Sequence, residues 1–102
     1  MTPEIAARLQ ASDIQVAFQN QDYFMFARGN CVALAVTVVE RFTSLGATGI
    51  MTEKGIAYLI WRDGQAWLST HGNQTAAEPE QVEAIRRFSE DVKAALGLKK
   101  EI

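Results

Sequence analysis

His71 and Cys31, each the only residue of its kind among 102, are the side chains best equipped for general-base or nucleophilic chemistry at neutral pH. A Cys–His couple is therefore the first chemistry to weigh, and the local sequence speaks against it. His71 stands directly before Gly72, the setting of a strand-end turn, with no carboxylate beside it to orient the ring. A single imidazole also cannot build a metal centre, which needs three or four ligands. Cys31 opens the apolar run 31–39, interrupted only by Thr37. Apolar surroundings raise a thiol's pKa, and free cysteines behave mostly as small buried hydrophobes. Neither residue is read as catalytic, and no catalytic residue, metal ligand or cofactor is expected.

The second candidate is the stretch 44–55, rich in glycine and hydroxyl side chains, which superficially resembles a loop cradling phosphate. The pattern G-x-x-x-x-G-K-[ST] is absent, since Lys54 precedes Gly55, and so is G-x-G-x-x-G. The plainer reading is turn glycines around a short strand at 48–52. If a small molecule binds this chain, Ser44, Gly46, Thr48, Gly49 and Thr52 are the residues expected to hold it.

Composition bounds the remaining classes. Apolar residues make up 48% and charged residues 22%, as in an ordinary folded domain. The length fits one domain spanning 1–102. Net charge is −2, and the basic residues stand singly or in pairs such as Arg86–Arg87 and Lys99–Lys100. A nucleic-acid partner is not expected, because phosphate binding calls for a clustered basic excess. One cysteine excludes an internal disulfide, and no apolar run approaches the length of a membrane span. A soluble cytoplasmic protein without membrane partners is the expectation.

The elements that position these residues can be read in order. Thr2-Pro3-Glu4 has the cap, first-turn proline and acidic residue of a helix start, and that helix ends near Ser12. Ile14, Val16 and Phe18 alternate with polar neighbours as a strand at 13–19. A two-residue Asn20-Gln21 turn would set Phe18 against Tyr23 and Val16 against Met25 in a second strand at 22–28, with Phe24 and Phe26 on the opposite side. Residues 31–39 read as a strand because β-branched residues crowd there. Asn30 as cap and Gly46 as stop leave a helix over 31–45 as the alternative.

Asp63-Gly64 is the dipeptide of a type I′ turn joining strands 56–62 and 65–70. It sets Trp61 against Ala66, Ile60 against Trp67 and Leu59 against Leu68, and leaves both faces of the hairpin apolar. Glu78-Pro79-Glu80 starts a final helix that Gly97 ends. Val82, Ile85, Phe88, Val92, Ala95 and Leu96 form its buried stripe.

The fold class expected is α+β: an antiparallel sheet of five to six strands with a short N-terminal and a longer C-terminal helix, in two layers. A helical 31–45 would instead produce the order α-β-β-α-β-β-β-α, similar to roadblock and profilin-like domains. Two helices are too few to cover both apolar faces of the 56–70 hairpin. The expected function is thus a homodimeric protein-interaction module, adaptor or chaperone-like, whose partner is itself or another protein. Phe24, Phe26, Tyr58, Ile60 and Trp67 are the interface candidates. A small-molecule-binding or sensor domain with a pocket near 44–55 is the alternative.

Overall fold

A computed structural model describes residues 1–39 and 41–98; the Lys99–Lys100 pair lies outside them. Helix α1 (Pro3–Ala11) begins as its sequence dictates, with the Thr2 hydroxyl accepting the Ile5 amide at 3.2 Å. Seven strands follow: β1 (Gln15–Gln19), β2 (Tyr23–Arg28), β3 (Cys31–Val38), β4 (Arg41–Thr52), β5 (Gly55–Arg62), β6 (Gln65–Thr70) and β7 (Asn73–Ala76). Helix α2 (Pro79–Leu96) closes the order. The strands pair antiparallel with their chain neighbours only, as β1-β2-β3-β4-β5-β6-β7.

The fold is α+β with one antiparallel sheet and a helix at each end, and it has seven strands instead of five or six. The extra strand, β7, is the segment Asn-Gln-Thr-Ala, mostly polar and with all four residues exposed, so no apolar alternation announces it. The β6–β7 turn is built from His71 and Gly72, both with positive φ (47° and 82°), the backbone a two-residue hairpin requires. The helical alternative for 31–45 is overturned, and with it the α-β-β-α order. Segment 31–38 pairs with β2 on one side and β4 on the other. Six of its eight residues are Val, Leu or Ala, and β2 and β4 satisfy the backbone groups that a helix would have bonded internally.

Two registers differ in outcome. The 56–70 hairpin pairs as its turn dictates, Trp61 with Ala66, Ile60 with Trp67 and Leu59 with Leu68, with φ of 53° at Asp63 and 77° at Gly64. The first hairpin does not. Asn20 Oδ1 accepts the amides of Asp22 (2.8 Å) and Tyr23 (3.0 Å), an Asx turn that lengthens the reversal. Phe18 therefore faces Met25 and Val16 faces Phe26, with a bulge at the intervening Ala17, instead of Tyr23 and Met25 respectively.

Register sorts the side chains onto two faces. Phe26, Cys31, Ala33, Ala35, Ile50, Ala57, Ala66 and Leu68 share one face and join Leu9 of α1 with Ile85, Phe88, Val92, Ala95 and Leu96 of α2 in a single core. The many alanines in the middle of that face let α2 lie close to the sheet, while Phe26 and Phe88 fill the remaining space. Arg28 ties this layer together. It donates to the Ser12 carbonyl (3.0 Å), pairs with Asp91 (2.9 Å) and lies 5.4 Å from the Phe88 ring centroid. Arg8 on α1 donates to the Ala95 carbonyl of α2 at 2.8 Å, so both helices sit on this one side.

Candidate functional site

The residues with intrinsic reactivity are occupied structurally. Cys31 is buried beside Phe88, Arg28, Glu83 and Arg87, which line a cleft of about 410 Å³ at the rim of α2. Burial pushes its thiol pKa up, and the nearby Arg28 charge only partly opposes this. A thiol held protonated is a poor nucleophile. Native Cys31 should therefore react with iodoacetamide on the order of 10–100 times more slowly than in denaturant, with the rate still climbing above the ordinary thiol range. Mass spectrometry of the adduct reads this directly, and fast labelling of native protein at pH 7 would contradict it. His71 Nε2 donates to the Lys54 carbonyl at 2.9 Å, which latches the β6–β7 turn to the β4–β5 turn. Among the described residues no three His, Cys, Asp or Glu converge as a metal site, and no helix is long and apolar enough to cross a membrane.

The 44–55 stretch is not an open loop. Residues Ser44, Gly46, Thr48, Gly49 and Thr52 all lie in β4, and only Glu53 and Lys54 form the turn after it. The Thr52 hydroxyl donates to the Gly55 carbonyl (2.7 Å) and accepts the Lys54 amide (3.2 Å), closing that turn. Gly49 is buried, Thr48 half-buried, and Ser44 and Gly46 are exposed. Two bulges, at Thr43 and at Gly46-Ala47, keep β4 in step with β3 and spread these residues along the strand instead of gathering them round one point.

The remaining feature is the sheet face turned away from the helices. Register places Phe18, Tyr23, Met25, Leu34, Val36, Val38, Met51, Ile56, Tyr58, Ile60 and Trp67 on it. Phe18 and Val38 are 52% and 54% exposed, and Tyr58 is 38% exposed. None of the seven strands contains Asp, Glu or Lys, and their only charged residues are Arg28, Arg41 and Arg62. Arg28 belongs to the helix side. Arg62 is exposed; its guanidinium lies 4.8 Å from the Trp67 ring centroid and donates to Gln74 Oε1 at 2.6 Å. Among the described residues charge is otherwise confined to helices, turns and loops, as in the Glu83–Arg86–Glu90 ladder on the outer side of α2. In that ladder Glu83 is held below the usual carboxylate range, chiefly by its hydrogen bond from Arg86.

The five interface candidates divide across the sheet. Tyr58, Ile60 and Trp67 lie together on the open face. Phe24 and Phe26 lie under the helix layer, where Phe26 has no exposed surface and Phe24 packs on Phe42 with ring centroids 5.1 Å apart. Trp61, on the helix side by register, is 63% exposed because it stands at the end of β5. Phe18, Tyr23, Met25 and the β3 row Leu34-Val36 complete the open face. Their alternation was visible in sequence, but which side the helices would take was not.

Comparison with protein-family models, curated proteins and solved structures found no match.

Proposed function

We propose that this chain is a protein-interaction module, adaptor or chaperone-like and cytoplasmic, that docks protein on its open sheet face. The observation that carries this reading is an apolar sheet face that, among the described residues, has no helix over it and no acidic residue within it. Patches of this kind on folded chains mark interaction surfaces. The outer strand edges offer a partner less. A bulge interrupts edge strand β1 at Ala17, and edge strand β7 has only four residues, the means by which sheets discourage edge pairing.

A photoreactive benzoylphenylalanine placed at Tyr58 and, separately, at Glu83 on the helix side tests this in cells. Irradiation should yield protein adducts at position 58 well in excess of those at 83. Equal or absent adducts at both positions would end the interaction reading.

A further inference from the structure

We infer that the chain also takes up an extended, uncharged segment of another polypeptide as an added strand, in the notch where β4 and β5 part. The site is a strand edge, and it stands whether or not the open face docks protein.

The ladder between β4 and β5 covers four pairs, from Thr52–Gly55 to Gly49–Tyr58, and then stops. Continued, it would set Leu59 against Thr48 and Trp61 against Gly46, but the bulge at Gly46-Ala47 turns β4 out of line first. The alternation of ladder bonds says which groups are left over. Arg62 and Gln65 close the Asp63-Gly64 turn, so Arg62, Ile60 and Tyr58 exchange their bonds with β6. Leu59 and Trp61 turn their N–H and C=O groups the other way, into the notch. By the same count from the Thr52–Gly55 pair, Thr48 turns its own groups there from β4. Among the described residues none bonds these groups across the notch.

A row of unpaired ladder groups is satisfied best by one chemistry, the backbone of an extended chain. The neighbouring side chains set the character of that chain. Leu59 and Trp61 flank the edge on the helix side, and Tyr58 and Ile60 on the open side. No residue from Phe42 to Thr48 or from Leu59 to Trp61 is charged, so an uncharged apolar segment fits and a charged one loses its hydration without a partner. Trp61, 63% exposed, stands at this edge and offers the newcomer its broadest apolar surface. A second copy has no suitable strand to lend, since its outer strands are the bulged β1 and the four-residue β7. The segment therefore comes from a different polypeptide.

The probe is a fluorescent octapeptide alternating valine with threonine, titrated into the intact chain. Anisotropy should show saturable binding. The Leu59 and Trp61 amides, fast to exchange in the free chain, should exchange at least about 10-fold more slowly in the complex. The same peptide N-methylated throughout has no donors to give and should bind at least about 10-fold more weakly. Trp61→Ala, at an exposed position that leaves the core intact, should weaken binding at least about 5-fold. Absence of saturable binding, equal binding of the methylated peptide, Leu59 and Trp61 amides already protected in the free chain, or protection confined to β1 or β7 would each overturn the proposal. Cross-linking at position 58 is read without the peptide, so either surface can fail alone.

Discussion

A Gly49→Ala chain should lose at least about 3 kcal/mol of stability, beyond the usual cost of one extra methyl in a packed interior. A Cβ at Gly49 would lie 2.1 Å from the Ala57 carbonyl oxygen and 2.9 Å from both the Ala57 carbonyl carbon and Tyr58 Cα. All three atoms are backbone, so no rotamer change relieves the contact. Relief requires β4 and β5 to part where Gly49 pairs with Tyr58 and Ile50 with Ala57. Ile50 and Ala57 both belong to the core, so the separation would also open apolar surface to water. Gly46 is the control. Its Cβ would meet only the Leu34 carbonyl at 3.3 Å, and Gly46→Ala should cost far less. Urea midpoints of the two variants decide the matter, and near-equal midpoints would show that the strands have room to give at position 49.

Phe88→Ala should cost about 3–5 kcal/mol, the range for removing a fully buried phenyl ring. Phe88 is 1% exposed, and its ring also meets the Arg28 guanidinium that links the Ser12 carbonyl to Asp91. Removing it leaves a cavity at the contact between α2 and the sheet and takes the cation–π partner from Arg28. For a domain of this size the loss should lower the melting temperature by about 15–30 °C. Phe88→Leu keeps most of the volume and should cost less than about 1.5 kcal/mol. Calorimetry of the pair measures both. A melting point within a few degrees of wild type for Phe88→Ala would mean that α2 contributes little to the core.

Local signals proved reliable at the β5–β6 turn and at the two ends of α2. Asp63-Gly64 set the β5–β6 register to the residue because positive φ at both positions admits one hairpin geometry. Pro79 and Gly97 marked the ends of α2 for reasons of backbone chemistry alone. Decisions made by neighbours were harder to see. The Asn20 side chain competes for backbone amides and shifts the first hairpin, and nothing in the alternation of Val16 and Phe18 reveals it. The N-terminal half of β4 and all of β7 lack apolar periodicity because each is largely exposed, so they read as loop. As for the candidate site, apolarity on both faces of β5–β6 was plain in sequence. Which face the helices would cover was settled by the alanines opposite α2, and that choice moved Phe24 and Phe26 inward.

Because every strand bonds only to its predecessor and successor, the sheet can assemble from one end of the chain to the other without waiting for distant partners. The clasp between Arg8 and the Ala95 carbonyl spans 87 residues and must come late. Until α2 packs, only α1 shelters part of the helix side, and most of the apolar surface on both faces of the sheet is bare. A chain stalled before Pro79 should accordingly be far more prone to aggregate than the finished one.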